Sequence, residues 1–476
     1  MAPEGEPPAP RLFGTDGIRL VVGRELTPEL LTKVVSALAA YLRGNGEVLL
    51  ARDFRTTSEA IARVVSGGLL MQGIHVRDLG VMPTPCLQFN VRHLGATMGV
   101  TVTASHNPTE FNGLKLTGPE GLELPRDGEE FIERSIHTGD FPSGTWDHVG
   151  AYRADSDGID RYLRSIVSHV DVEAVRRFAP TVVLDSGNGT SLLTGPPLLR
   201  ELGCRVITLN ANPDGYFSGR PSEPSEENLA ELRRAVVEFG AAVGIAHDGD
   251  SDRIAFVDEQ GRYIPGEVAL AVFARARLKE HPHATIVTSI TSSTAVADVV
   301  REMGGRLVET RSGSLPVARG VVESRAIFAG EENGGYYWPE HQVARDGPMS
   351  SAKMVELLAH ERRPLSEIVA EMPTYTVLKT KVPLAQEALA ARPIKEYVVR
   401  EARRRLESGA QRLIDIDGIK AHYPDGWLLV RPSGTEPICR VFAESRDPAR
   451  AKELLAQGVD LVQELLGEWK RHAPTG

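Results

Sequence analysis

The segment Thr97-Met-Gly-Val-Thr-Val-Thr-Ala-Ser-His-Asn-Pro108 contains the arrangement from which the rest of the chain can be interpreted. Its apolar and β-branched first half predicts a buried strand over 97–103, which ends in a polar loop that carries Ser105. Strands predicted over 242–246 and 326–329 end in polar loops in the same way. Helical patterns separate such strands, which predicts α/β layers with a mostly parallel sheet. Because such sheets bind ligands at the carboxyl ends of their strands, these loops are the candidate sites.

The length of 476 residues exceeds what one hydrophobic core supports, so we expect several domains. From about residue 374 the strand–helix alternation gives way to strands followed by a long amphipathic helix over 449–467, which is typical of an α+β unit. We therefore predict three similar α/β domains with mixed, mostly parallel sheets and a C-terminal α+β domain. The predicted domains cover residues 1–155, 156–258, 259–372 and 373–476.

The composition excludes several classes of function. Acidic residues outnumber basic ones, 64 to 54, and the net charge of −10 argues against nucleic acid as a partner. No apolar run approaches the roughly 18 residues of a membrane-spanning helix, and the N-terminal residues lack the pattern of a signal peptide. Three widely separated cysteines offer neither a disulfide framework nor a zinc motif. We expect a cytoplasmic protein without a membrane partner.

Three carboxylates alternate in the loop Asp248-Gly-Asp-Ser-Asp-Arg253, directly after a predicted strand. Carboxylates at i, i+2 and i+4 in a glycine-containing turn can converge on one hard cation, and Mg²⁺ favours such oxygen ligands. The spacing also fits the start of an EF-hand loop, but Ile254–Val257 predicts a strand where an EF-hand requires a helix. A polar turn between two strands is the alternative.

Two glycine-containing loops offer groups that could hold a phosphorylated sugar. Gly330-Glu-Glu-Asn-Gly-Gly335 combines carboxylates and an amide, which hydrogen-bond hydroxyls, with glycines that let a ligand approach the backbone. Arg431-Pro-Ser-Gly-Thr435 combines a guanidinium, two hydroxyls and backbone N–H groups, which together suit phosphate. A plain turn is the alternative in each case.

The adjacent residues Ser105 and His106 could suggest acyl transfer. However, no G-x-S-x-G elbow surrounds Ser105, and neighbouring residues do not usually position each other as nucleophile and base. Neither a Walker A motif nor a G-x-G-x-x-G pattern occurs in the chain, so nucleotide hydrolysis and dinucleotide binding have no support.

Taken together and in this order, these segments resemble the α-D-phosphohexomutases, which interconvert sugar 1-phosphates and 6-phosphates. The resemblance extends from Leu12 to about Gly467. It implies three similar α/β domains and one α+β domain around a central cleft. It also implies a phosphoserine and two groups for acid/base work, which are Ser105, Lys115 and Arg19. We add the adjoining His106 to these candidate catalytic residues.

The same resemblance implies the ligand-binding residues. Mg²⁺ would be held by the phosphate on Ser105 and by three carboxylates, those of Asp248, Asp250 and Asp252. Arg253 would support the phosphoserine loop. The sugar hydroxyls and the phosphate that is not transferred would be bound by Glu331, Asn333, Arg431, Ser433, Gly434 and Thr435.

The implied activity is transfer of the phosphoryl group from Ser105 to a small-molecule hexose phosphate, through a sugar 1,6-bisphosphate that also serves as activator. The segment Phe13–Arg19 is similar to phosphoglucosamine mutases, which favours conversion of glucosamine 6-phosphate to glucosamine 1-phosphate. Asn333 and Gly335 stand where bacterial members often carry Ser and His, so mannose and glucose phosphates are alternatives. Alternatives of another class are a phosphatase and an inactive sugar-phosphate-binding protein. We expect a monomer or a homodimer.

Overall fold

A computed structural model shows four β-sheets, each packed against helices. It describes residues 11–14, 16–141, 144–384, 392–434 and 436–472. The first three sheets mix parallel and antiparallel pairs, whereas the fourth is antiparallel throughout. This arrangement confirms the predicted fold class of three α/β units followed by a different C-terminal unit.

The first sheet has six strands, which are β1 (Ile18–Val21), β2 (Glu47–Arg52), β3 (His75–Val81), β4 (Met98–Val102), β5 (Phe111–Thr117) and β6 (Tyr152–Ala154). Their order in space is β1-β5-β4-β2-β3-β6. The helices of this unit are α1 (Pro28–Tyr41), α2 (Ser58–Met71), α3 (Thr84–Leu94) and α4 (Arg126–Thr138). Strands β2, β3, β4 and β6 run parallel. At one edge β5 pairs antiparallel with β4, and β1 pairs antiparallel with β5.

The second sheet has the order β11-β10-β9-β7-β8. Its strands are β7 (Thr181–Asp185), β8 (Arg205–Leu209), β9 (Val243–His247), β10 (Ile254–Asp258) and β11 (Tyr263–Ile264). The helices between the first sheet and the end of this one are α5 (Gly158–Val167), α6 (Val172–Phe178), α7 (Gly195–Glu201) and α8 (Ala230–Glu238). Strand β11 lies beyond the boundary predicted after residue 258, because the tight turn after β10 returns the chain to the same sheet.

The third sheet has the order β13-β12-β14-β15-β16. Its strands are β12 (Thr285–Ser289), β13 (Arg306–Thr310), β14 (Phe328–Gly330), β15 (Tyr336–Trp338) and β16 (Gln342–Arg345). Its helices are α9 (Gly266–Glu280), α10 (Thr294–Glu302), α11 (Ser314–Ser324), α12 (Gly347–Glu361) and α13 (Leu365–Ala370).

The fourth sheet has the order β17-β21-β20-β19-β18. Its strands are β17 (Thr376–Pro383), β18 (Arg412–Ile414), β19 (Ile419–Tyr423), β20 (Gly426–Pro432) and β21 (Ile438–Ser445). Two helices pack on it, α14 (Arg392–Glu407) and α15 (Pro448–His472). The latter is the predicted C-terminal amphipathic helix, and it is longer than the sequence indicated. Within the described residues, none of the helices is long and apolar enough to cross a bilayer.

The polar loops occupy equivalent turns in the first three sheets. In each sheet a central strand that pairs in parallel on one side is followed by an antiparallel neighbour on the other. The turn between them carries Ser105 after β4, Asp248 after β9 and Glu331 after β14. In the fourth sheet the loop that follows Arg431 joins the antiparallel strands β20 and β21. The repeated architecture therefore presents one polar loop per unit.

One buried apolar cluster runs through all three α/β units and fixes their relative positions. It contains Leu49 of the first sheet, Leu184 of the second and Phe328 of the third. The fourth unit has a core of its own, and a small cluster that includes Ile290 and Trp427 joins it to the third unit. Because cores are close-packed, the loops of the first three units are held in a fixed arrangement.

A matched pair of valines tests where the core lies. Val183 in β7 is fully buried against residues of α8, whereas Val237 in α8 is 56% exposed. We expect Val183→Ala to lower the free energy of unfolding by about 2 kcal/mol, since it removes buried methyl groups and leaves a cavity. Val237→Ala should change it by less than about 0.5 kcal/mol. Urea denaturation followed by circular dichroism measures both, and equal effects of the two changes would contradict the placement of this core.

Candidate active site

Ser105 is buried and held in a constrained backbone conformation. Ser105 is 1% exposed, and its φ angle of 51° lies in the left-handed region. This conformation costs a non-glycine residue about 1 kcal/mol or more. The backbone N–H donates to Thr103 Oγ1 at 2.9 Å, and Ser105 Oγ donates to Asp248 Oδ2 at 2.9 Å. The hydroxyl therefore points at the acidic loop of the second unit, as the sequence analysis anticipated.

Arg55 binds the backbone of the serine loop, and it was not among the residues predicted from the sequence. Its guanidinium donates to four loop carbonyls at 2.6 to 3.0 Å, those of Ser105, Asn107, Pro108 and Phe111. The side chain is fully buried, pairs with Asp53 at 3.2 Å and lies over the ring of Phe217. These contacts hold the loop in place and thereby stabilise the strained backbone conformation of Ser105. Arg55 follows the carboxyl end of β2, so the strand-end argument applied to Ser105 could have found it.

The three predicted metal ligands converge. The carboxylates of Asp248, Asp250 and Asp252 are buried, and one oxygen of each lies within 4.8 Å of the others. Burial raises the pKa of the Asp248 carboxyl well above its usual value, and the charges of Asp250 and Asp252 add to that effect. Asp250 Oδ1 and Asp252 Oδ1 are buried and have no hydrogen-bond partner among the described residues. Buried acceptors are normally satisfied, so these free oxygens fit a hard divalent cation among them.

Lys115 provides the positive charge beside this cluster. Its Nζ lies 2.9 Å from Asp16, 2.7 Å from Asp250 and 2.8 Å from Asp252. Burial disfavours the ammonium form, but the three carboxylates outweigh burial and raise the pKa of Lys115 above its usual value. The lysine is therefore a protonated group in contact with two of the three predicted metal ligands.

Asp16 and Arg345 complete the charged cluster, and the sequence analysis identified neither. Arg345 Nη2 lies 2.9 Å from Asp16 Oδ2 and 2.8 Å from Asp252 Oδ2. Asp16 also accepts from the predicted site residue Arg19 at 2.9 Å. Asp16 lies three residues before Arg19, in the glycine-containing segment that resembles phosphoglucosamine mutases. Arg345, at the end of β16, carried no local signal.

Two further predicted residues, His106 and Arg253, lie near the serine and the acidic loop. His106 Nδ1 lies 3.3 Å from Ser105 Oγ, and burial, reinforced by Arg253 and Arg19, lowers the pKa of His106 to about 2. The imidazole is therefore neutral near pH 7. Arg253 donates its backbone N–H to Asp248 Oδ1 at 3.1 Å, while its guanidinium lies 3.5 Å from Glu223. The Arg253 backbone thus helps to hold the acidic loop, and its positive charge acts on His106 of the serine loop.

The predicted sugar loop lies against the strand that follows the acidic loop. Glu331 is buried, its Oε1 accepts from the Gly313 N–H at 3.1 Å, and burial raises the pKa of its carboxyl. The exposed Asn333 side chain accepts from the Gly335 N–H at 3.1 Å. Gly334 has φ of 87°, and a Cβ there would lie 2.1 Å from the carbonyl oxygen of Ile254. Only glycine permits this close approach of the two loops.

The predicted phosphate loop joins the third and fourth units. Arg431 Nε donates to Asp417 Oδ2 at 2.6 Å, and the same carboxylate oxygen accepts from the Ser312 N–H at 3.1 Å. Ser433 is buried, and its Oγ accepts from the backbone N–H of Glu436. The Gly434 carbonyl accepts from Arg11 Nη1 at 3.3 Å, and Thr435 lies outside the described residues. The loop from 311 to 313 therefore contacts the sugar loop directly through Glu331, and it is linked to Arg431 of the phosphate loop through Asp417.

Comparison with known proteins places the whole chain in one group. Residues 10–143, 160–261 and 265–375 match the three alpha/beta/alpha domains of phosphoglucomutase/phosphomannomutase, and residues 380–461 match its C-terminal domain. A phosphoglucomutase/phosphomannomutase of Thermococcus kodakarensis is 39% identical over 460 residues, covering 96% of this chain and 99% of that protein. A probable phosphoglucosamine mutase of Methanopyrus kandleri is 40% identical over 458 residues, with 96% and 99% covered.

Solved structures agree with these matches. A phosphoglucomutase/phosphomannomutase family protein of Burkholderia thailandensis superposes with a TM-score of 0.83 at 26% identity, covering 97% of this chain and 98% of that one. An N-acetylphosphoglucosamine mutase of Aspergillus fumigatus, solved with GlcNAc-6P and magnesium, shares the fold with a TM-score of 0.64 at 15% identity, with 97% of each chain covered. All four domains and full-length relatives show that the chain belongs to the phosphoglucomutase/phosphomannomutase family of phosphohexomutases.

Proposed function

We propose that the protein interconverts glucosamine 6-phosphate and glucosamine 1-phosphate, with Ser105 as a reversible carrier of the phosphoryl group. The observation that carries this proposal is the buried contact between Ser105 Oγ and Asp248, beside two further carboxylates and a protonated lysine. Phosphoryl transfer depends on positioning and on neutralising charge rather than on covalent chemistry by the protein. The site supplies a nucleophilic oxygen, ligands for a cation and a fixed positive charge.

The donor set fits Mg²⁺. The free oxygens of Asp250 and Asp252, and the carboxylate of Asp248 that receives the Ser105 hydroxyl, are hard oxygen ligands in a buried position. We propose that Asp248, Asp250, Asp252 and the phosphate on Ser105 hold this ion. When bound, it would draw negative charge from the transferred phosphoryl group.

The chain's own groups account for the remaining steps. Transfer breaks the bond between phosphorus and Ser105 Oγ and forms the bond between phosphorus and the sugar oxygen. In the same step one proton moves from the acceptor hydroxyl to Ser105 Oγ. We propose that protonated Lys115, with Arg19 beside it on Asp16, gives its proton to Ser105 Oγ as the phosphoryl group leaves and regains a proton from the acceptor hydroxyl. The neutral His106 can accept a hydrogen bond next to Ser105, but it is a poor base.

The sugar would be held by the other two loops. We propose that Glu331 and Asn333 bind its hydroxyls, while Arg431, Ser433, Gly434 and Thr435 bind the phosphate that is not being transferred. The loop from 311 to 313 donates to Glu331 of the sugar loop and to Asp417, which pairs with Arg431, and this link supports action of the two loops on one ligand. After the first transfer a sugar 1,6-bisphosphate would turn over in the cleft and return its other phosphate to Ser105. The same bisphosphate, supplied from outside, would act as the activator that phosphorylates Ser105.

The domain organisation follows from the sheets. We propose domains over 1–155, 156–264, 265–372 and 373–476. The second boundary is moved to residue 264 because β11 pairs with β10, and the matched family domains support the change.

The names of two full-length relatives support glucosamine phosphate as the substrate, namely those of Methanopyrus kandleri and of Sulfurisphaera tokodaii, a phosphoglucosamine/phosphogalactosamine mutase. The name of the Thermococcus kodakarensis relative favours glucose and mannose phosphates instead.

Ser105→Ala tests the phosphoserine. We expect turnover to fall by about a thousandfold or more, because no other hydroxyl occupies this position, while the thermal midpoint stays close to that of the wild type. Intact mass spectrometry should show a fraction of wild-type protein heavier by one phosphoryl group, and none in the variant. Ser168→Ala, at an exposed serine, is the control. Near-full activity of Ser105→Ala with Mg²⁺ and bisphosphate would refute the mechanism.

Metal dependence can be measured both by activity and by direct metal binding. Removal of divalent cations with a chelator should abolish activity, and readdition of Mg²⁺ should restore it. Asp248→Asn should weaken Mn²⁺ binding in calorimetric titration by roughly a hundredfold, since it removes one of three ligand charges. Asp460→Asn changes an exposed position of α15 and should bind Mn²⁺ as the wild type does. Unchanged Mn²⁺ affinity in Asp248→Asn would show that the acidic loop is not the metal site.

Substrate preference requires a side-by-side assay of glucosamine, mannose and glucose 6-phosphates. We expect kcat/KM for glucosamine 6-phosphate to exceed the other two by roughly tenfold, a ratio typical of a single substituent difference. A higher value for mannose or glucose 6-phosphate would assign the protein to the alternative substrate. Release of inorganic phosphate at the rate of substrate loss would instead indicate a phosphatase.

A further inference from the structure

Two cations share the same two carboxylate oxygens in the charged cluster. Lys115 Nζ lies 2.9 Å from Asp16 Oδ2 and 2.8 Å from Asp252 Oδ2. Arg345 Nη2 lies 2.9 Å and 2.8 Å from these same atoms. Lys115 also contacts Asp250. The ion pairs of Arg345 within the described residues include neither Asp248 nor Asp250. Arg345 thus pairs with two of the three carboxylates that Lys115 contacts.

The duplication matters if Lys115 has to move. A lysine that passes a proton to reacting groups must turn its ammonium away from some of its carboxylate partners. Asp16 and Asp252 are buried, and a buried carboxylate that loses its last cation partner is strongly disfavoured. Asp16 also keeps Arg19, whereas the ion pairs of the described residues give Asp252 no cation besides Lys115 and Arg345. With Arg345 present, both carboxylates keep a guanidinium partner while the lysine acts. Their positions, and with them the free Oδ1 of Asp252, then stay fixed.

The arginine is itself prevented from moving. Its side chain is 6% exposed, and its backbone pairs with Tyr337 in the third sheet. Its stem fills the space above Gly335, because a Cβ on that glycine would lie 2.4 Å from Arg345 Cδ. The Glu123 carboxylate, 3.6 Å from Nη2, closes another side. The glycine at the end of the sugar loop is therefore what admits the guanidinium to the charged cluster.

We propose that Arg345 is a positioning residue for phosphoryl transfer, which holds Asp16 and Asp252 in place while Lys115 acts on the substrate. Arg345 belongs to the third unit, Asp252 to the second and Asp16 to the first. The residue therefore also ties the sugar loop's own sheet to the acidic loop. The inference rests on the proposed function, since it needs Lys115 to act in a mutase reaction.

Arg345→Met tests this role, because methionine keeps much of the stem and removes the charge. We expect kcat to fall by about thirtyfold, with KM for glucosamine 6-phosphate within about threefold of the wild type. Mn²⁺ affinity of the metal-free protein should not weaken by more than about threefold, because the three ligand carboxylates remain. Arg345→Lys should recover about a third or more of the lost activity, since an ammonium can reach one of the two oxygens.

Gly335→Ala is an independent variant that displaces the guanidinium without removing it. It should lower kcat in the same way as Arg345→Met, and it serves if the methionine variant does not fold. Arg277→Met, which removes a mostly buried, ion-paired arginine elsewhere in the third unit, is the control and should leave kcat within about twofold.

Three results would overturn the inference. These are kcat within threefold of the wild type in Arg345→Met, an unaffected kcat in Gly335→Ala, or a loss of Mn²⁺ affinity that parallels the loss of kcat. The last would mean that Arg345 only maintains the metal loop. A wild-type protein that shows neither mutase turnover nor a phosphoserine would instead refute the proposed function, whatever the variants do.

Discussion

The structure depends on a concentration of buried negative charge at one point between three sheets. Asp16 and the three carboxylates of the acidic loop are all 9% exposed or less. Such a group is stable only if cations and hydrogen-bond donors surround it. Lys115 and Arg345 meet that requirement from the first and third units. The carboxylates left with free oxygens mark the place where a further cation fits.

The charge balance and the apolar core depend on each other. Asp16 and Lys115 come from the first unit, the acidic loop from the second and Arg345 from the third, so the cluster forms only when the three units are docked. The docking is provided by the continuous buried apolar cluster that includes residues of all three sheets. The fourth unit is attached differently, through Glu444, which accepts from the N-terminal N–H of α10, and through Lys420 on the Ile290 carbonyl. That attachment places the phosphate loop beside the loop from 311 to 313.

Much of the fold and part of the site could be predicted from sequence. The strands over 98–102 and 243–247 are short apolar runs, and the polar loops that follow them are recognisable by composition alone. Helix α4 went unrecognised because its segment is rich in charged residues and lies among glycines and prolines. Strands of three residues, such as β15, carry too little periodicity to be seen. Strand β11 gives no sequence signal because it has only two residues, and it lies after the predicted boundary at 258.

The site residues that were missed have one feature in common. Arg55 acts on a loop about 50 residues away, and Arg345 acts on a carboxylate 329 positions away in the chain. In the sequence each is a single arginine, which by itself indicates only a solvated surface. What makes them functional is the burial that the tertiary structure imposes. The position of Arg55 after β2 marks it as a candidate, but the contacts of both arginines are seen only in coordinates. The Ser105 and Asp248 loops concentrate several groups within a few residues and are therefore visible in the sequence.

The central claim is that Ser105 carries a phosphoryl group that passes to the sugar rather than to water. The most direct measurement is a single-turnover transfer experiment with protein whose Ser105 phosphate is isotopically labelled. After mixing with unlabelled glucosamine 6-phosphate and Mg²⁺, the label should appear in sugar bisphosphate and then in sugar monophosphate, with little in inorganic phosphate. Label that stays on the protein, or that appears in inorganic phosphate at the rate of its loss from Ser105, would contradict the account.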